Sequence, residues 1–125
     1  MRALKWFLET FPTPRRVRER KERLQAEREA GASAWAARHF EPRMRHAAQS
    51  VAVAFCEVEG VGVLAHGPSG RVIQDLNMAD LEPIEVVLSL EQTLNIKIPD
   101  EEAQNLNTLL EWVHCVYAKL QTHSA

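Results

Sequence analysis

A chain of 125 residues with 46% apolar residues suits one domain with an ordinary core, and no apolar run approaches the roughly 20 residues that span a bilayer. The net charge of −2 conceals a division. Met1–His46 carries 12 Lys/Arg against 6 Asp/Glu, or +6, and Ala47–Ala125 carries 3 against 11, or −8.

In chain order, the opening MRALKWFLETF is interrupted by Lys5 and Glu9 and precedes no small-residue cleavage site, which argues against a signal peptide and makes the cytoplasm the expected location. Leu4, Phe7, Leu8 and Phe11 recur at helical spacing and predict a short amphipathic helix, stopped by Pro12 and Pro14. Arg15 to Glu29 is almost wholly charged, with Val17 and Leu24 as its apolar members. Pairs such as Glu19 with Arg23 and Arg23 with Glu27 support a solvated helix there. Gly31 and Ser33 are expected to weaken it before Trp35 and Phe40 restore apolar bulk.

From Pro42 to Glu59 the face Met44, Ala47, Ala48, Val51, Phe55 and Val58 predicts a core helix. A long loop follows, punctuated by Gly60, Gly62, Gly67, Pro68 and Gly70 and tied to the core by Val61, Val63, Leu64, Val72 and Ile73. Asp80 to Leu94 is the next helix, with Leu81, Ile84, Val87, Leu88 and Leu94 expected inward, Asp80 as N-cap and Pro83 tolerated in the first turn. Ile96 and Ile98 lie in an extended piece, and Asp100 caps a brief helix to Leu106. Asn107 or Thr108 then opens a last helix with Leu109, Trp112, Val113, Val116 and Leu120 as its core stripe. These elements predict an all-α, four-helix domain over residues 42–125, preceded by a helical extension over residues 1–41.

The stretch from Val72 to Glu102 resembles the acyl carrier protein family. There an Asp-Leu-Gly-x-Asp-Ser-Leu segment opens the second helix, a Val-Glu-Leu-Val-like run and a Leu-Glu-x-x-Phe follow, and an Ile-x-Ile-Pro-Asp-Glu turn closes it. Asp75-Leu76, Leu81, Ile84-Glu85-Val86-Val87, Leu90-Glu91, Leu94 and Ile96-Lys97-Ile98-Pro99-Asp100-Glu101 match in order and without gaps. The resemblance covers roughly Pro42 to Gln121 and implies a four-helix carrier bundle.

It also implies a serine at the start of the second helix that receives phosphopantetheine from a transferase. This chain departs there: the position is Asp80, preceded by Ala79, with Asn77 and Met78 in place of the family's small residues. A carboxylate attacking the same donor would give a labile acyl phosphate instead of a durable phosphodiester, whereas serine and aspartate cap helices equally well. The expected cofactor is therefore none, and the expected function is a non-catalytic, unmodified carrier-like module. Attachment at an atypical residue stands as the alternative, with Ser50, Ser69 and Ser89 as the nearby hydroxyls.

What the resemblance retains is an acidic docking face for a basic patch on a partner enzyme, in lipid or polyketide-like synthesis. Asp75, Asp80, Glu82, Glu85 and Glu91 are its candidate residues, near Asp100. The basic arm, Arg15, Arg16, Arg18, Arg20, Lys21 and Arg23, lies outside the family pattern. It has three readings: contact with nucleic acid or anionic membrane, contact with the acidic helix of its own body or a neighbouring copy, and a solvated tether.

Other chemistry is thin. Cys56 and Cys115 have no CxxC spacing and read as reduced, buried thiols. His39 and His46 are seven apart, and adjacent His114 and Cys115 point in different directions, so no metal site is expected. Asp75 and Asp80 have no neighbouring nucleophile, and the glycines of the loop lack the Lys-Ser/Thr ending of a phosphate loop.

Overall fold

The computed structural model describes residues 13–124, and the expected Leu4–Phe11 helix lies outside them. Among the described residues five α-helices follow one another: α1 (Pro14–His39), α2 (Arg45–Glu59), α3 (Glu82–Leu94), α4 (Asp100–Gln104) and α5 (Leu109–Ser124). Two 3-10 segments, Pro42–Met44 and Val61–Ala65, flank α2. Among the described residues the sole strand-like feature is an isolated bridge between Arg71 and Thr108. The class is all-α, as the helical spacing predicts. No helix among the described residues is long and apolar enough to cross a membrane.

The bundle is organised around α2, which packs against α1, α3, α5 and the second 3-10 segment. Its alanines explain this position, because Ala47, Ala48, Ala52 and Ala54 are all buried and let neighbouring helices approach closely. Val51 and Phe55 fill the space between, and the Phe55 ring meets Trp112 of α5 edge-on with centroids 5.2 Å apart. The predicted stripe of α5 is buried at Leu109, Trp112, Val113 and Val116, with Leu120 half-buried against it. Gly60, at φ 92°, ends α2 in a conformation that L side chains rarely adopt.

Helix α1 starts as expected and departs from expectation in its length. Thr13 accepts the Arg16 amide at 3.2 Å and Pro14 occupies the first turn, so the helix starts where the preceding segment was expected to stop. It then runs unbroken through Gly31 and Ser33 to His39. Packing overrides the low propensity of glycine here: a Cβ at Gly31 would lie 2.9 Å from Leu64 Cδ1, so the missing side chain lets the 3-10 segment sit against the helix. Beyond that point Ala32, Trp35, Ala36 and Phe40 are buried in the common core, and Trp35 Nε1 donates to the His66 carbonyl at 2.8 Å. Earlier in the helix, every residue from Thr13 to Leu24 is exposed.

The loop from Gly60 to Leu81 is partly ordered by the core, as expected, but not by all the residues named for it. Val63 and Val72 are buried and Leu64 is half-buried, whereas Val61 and Ile73 face solvent. Leu76 and Met78 supply the remaining anchors. Backbone bonds from Val72 N to Asn107 O and from Leu109 N to Gly70 O tie the loop to the start of α5.

Candidate functional site

The start of α3 holds Asp80, the residue at the position that the family resemblance gives to the attachment serine. The chain enters it through a turn in which the Glu82 amide donates to the Ala79 carbonyl at 3.0 Å, and Leu81, not Asp80, is the N-cap residue. No side chain caps the helix. The expected capping role of Asp80 is thus corrected: the turn places residue 80 one position too early for it, and its carboxylate is exposed. Pro83 lies in the first turn as expected, where no intrahelical bond is lost. A cleft of about 190 Å³ opens beside Asp80 between α3 and α4, walled by Pro83, Ile84, Val87 and Ala103 and edged by Asp80, Asp100 and Gln104.

The inward face of α3 also differs from expectation. Val86, Val87 and Leu90 are buried and Leu94 is half-buried, but Leu81, Ile84 and Leu88 are 71%, 47% and 52% exposed. The helix carries two apolar stripes, and α2 can cover one. The other, at i, i+3 and i+7, forms an outer ridge beside the cleft. The sequence signal for this second stripe was the spacing of Leu81, Ile84 and Leu88 beside that of Val86, Val87, Leu90 and Leu94.

The five acidic candidates differ in exposure and in partners. Asp80 and Glu85 flank the outer ridge and are exposed. Glu82 is half-buried, and its Oε2 is buried with no hydrogen-bond partner among the described residues. Its place in the first helical turn, with Glu85, is where the helix dipole favours negative charge.

Asp75 is engaged by Arg71, whose amide donates to Oδ2 at 2.8 Å while Nε and Nη2 reach the two oxygens at 3.2 Å each. These hydrogen bonds hold the Asp75 carboxyl below its ordinary range. Glu91 accepts the Ile98 amide at 2.9 Å and is committed to the turn after α3. From Val72 to Asn95 the chain has five carboxylates and no Lys or Arg, and one of the five, Asp75, is paired with Arg71 just before that stretch.

The basic residues lie elsewhere. Arg15, Arg16, Arg18, Arg20, Lys21 and Arg23 are all exposed on the N-terminal half of α1, with an ion pair from Arg15 Nε to Glu19 at 2.9 Å. The cysteines are free thiols, Cys56 buried and Cys115 half-buried. Cys115 Sγ donates to Glu102 at 3.3 Å, and burial first, with that bond, pushes the thiol up to about 11. Among the described residues no group of three or more His, Cys, Asp or Glu could hold a metal ion.

An acyl carrier protein of Helicobacter hepaticus is 41% identical to this chain over 51 residues, covering 41% of this chain and 67% of the relative. The chain belongs to the acyl carrier protein family. No family model matches it. No solved structure matches it. Ser89, inside α3, is half-buried and its hydroxyl donates to Glu57 Oε2 of α2 at 3.0 Å, so this hydroxyl is already used in helix packing.

Proposed function

We propose that this carrier-family chain is a non-catalytic docking module that carries no phosphopantetheine and engages a partner enzyme through the outer ridge of α3. The observation that carries the reading is the exposure of Leu81, Ile84 and Leu88 beside Asp80 and Glu85. An apolar ridge in an acidic field suits a partner surface with an apolar groove and a basic rim. The charges would govern encounter and orientation, and the leucines would supply the buried contact.

The residues at the start of α3 do not fit a phosphopantetheine attachment. Between Ser69 and Ser89 there is no serine, threonine or tyrosine. Asp80, which the family resemblance sets at the attachment position, offers a carboxylate whose phosphate adduct would be a hydrolysable mixed anhydride. The cleft beside it has an apolar wall from Ile84, Val87 and Ala103. The partner expected is an enzyme of acyl-chain assembly, in lipid or polyketide-like synthesis, and the expected location is the cytoplasm.

The test is affinity capture from cells of the source organism, comparing the native chain with a Glu82→Lys/Glu85→Lys variant. Partners retained by the native chain and lost by the variant support the reading. Capture unchanged by the two reversals contradicts it.

A further inference from the structure

We propose that the N-terminal half of α1 is a docking helix for a second copy of this chain, and that it lies on that copy's α3 ridge. Two unpartnered surfaces of opposite character support this. On α1, Val17 and Leu24 are 37% and 42% exposed and seven residues apart, with Arg20 and Lys21 on either side of their stripe. On α3, Leu81 and Leu88 are also seven apart and exposed, with Ile84 and Glu85 between them. Both spacings are two helical turns, about 10.5 Å, so the two stripes can meet in register as the seam of a helix pair.

Charge selects the pairing. Arg15–Arg23 holds six Lys/Arg against two Glu, and the stretch around α3 holds five carboxylates and no cation. Two arms would repel each other, as would two ridges. An arm on a ridge brings Arg20 and Lys21 beside Asp80 and Glu85.

The occupant is a second copy because the described residues leave both surfaces open. α1 is a single continuous helix, held in the core by Ala32, Trp35 and Ala36, and its free half is exposed from Thr13 to Leu24. A two-fold arrangement satisfies both copies at once, each arm on the other's ridge. Because the ridge is also the proposed partner surface, self-association would mask it, and a partner enzyme would compete with the second copy. The inference shares the ridge with that reading, but its test contains no partner enzyme, so either can fail alone.

The experiment is sedimentation equilibrium of the full chain over a concentration series, at about 50 mM and about 500 mM salt. A reversible dimer is expected at low salt, weakened about tenfold or more at high salt. Two variants follow, Arg20→Glu/Lys21→Glu and Asp80→Lys/Glu85→Lys, all at exposed positions. Each alone is expected to be monomeric, and an equimolar mixture is expected to dimerise, because both reciprocal contacts then join opposite charges. A native chain that stays monomeric at every concentration at low salt overturns the proposal. So does a dimer insensitive to salt and to both reversals, or a mixture that remains monomeric.

Discussion

Glu91 and Ile98 are joined across the turn between α3 and α4, with Glu91 Oε2 accepting the Ile98 amide at 2.9 Å. The bond closes a segment that begins at Asn95, left-handed at φ 54°, and contains buried Ile96 and Ile98. Glu91→Ala is expected to cost about 1.5–3 kcal/mol, because a charged acceptor is removed from a part-buried amide. Glu91→Gln, which keeps an acceptor, should lose less. Urea denaturation of the two variants measures this, and partner capture should be indifferent to Glu91→Gln while responding to Glu85→Lys.

The two described tryptophans separate hydrogen bonding from volume. Trp35 Nε1 has a partner in the His66 carbonyl, whereas Trp112 Nε1 is buried with none among the described residues. Trp35→Phe should therefore forfeit a bond worth about 1 kcal/mol in addition to packing. Trp112→Phe relieves an unsatisfied donor, which offsets part of its volume loss. Trp112→Ala, which empties the space facing Phe55, should cost about 3–5 kcal/mol. Thermal unfolding of the three variants should rank Trp112→Ala as by far the worst.

Stability against pH has an acid and an alkaline limb. The Lys119 ammonium, 2.8 Å from Glu102, holds that carboxyl below its ordinary 4.5 through their hydrogen bond, and Arg71 holds Asp75 below its ordinary 3.8. Both contributions are complete above those ordinary values and are lost as pH falls through the lowered ones. Glu102→Gln and Asp75→Asn should each flatten the acid limb.

At the other end, the Cys115 thiol binds its proton more tightly in the folded chain, near 11, than its ordinary 9.0. Its contribution is complete below 9.0 and is lost as pH rises through about 11, so Cys115→Ala should flatten that limb. Alkylation of Cys115 at neutral pH should be slow compared with a free thiol.

Helical spacing made most of this fold legible, because burial in a bundle follows period 3.6. Burial follows that spacing from Ala47 to Phe55 in α2 and from Leu109 to Val116 in α5. The same rule misplaced Leu81, Ile84 and Leu88, since α3 is apolar on two sides and spacing alone does not say which side meets α2. Asp80 has the chemistry of a cap but sits inside the preceding turn, and turn registers of one residue are not written in composition. The run of α1 through Gly31 depends on Leu64, a contact 33 residues away that a local reading of propensity does not contain. At the site, the carboxylates were legible as types. The commitments of Asp75 to Arg71 and Glu91 to Ile98 emerged from three-dimensional contacts.

Whether this carrier-family chain stays unmodified is measured most directly by its intact mass after coexpression with a broad-specificity phosphopantetheinyl transferase. An unchanged mass is predicted, since Asp80 has no hydroxyl to offer and no other hydroxyl residue lies between Ser69 and Ser89. A mass increased by one phosphopantetheine would contradict it, and the modified peptide would identify the residue that serves as the carrier site.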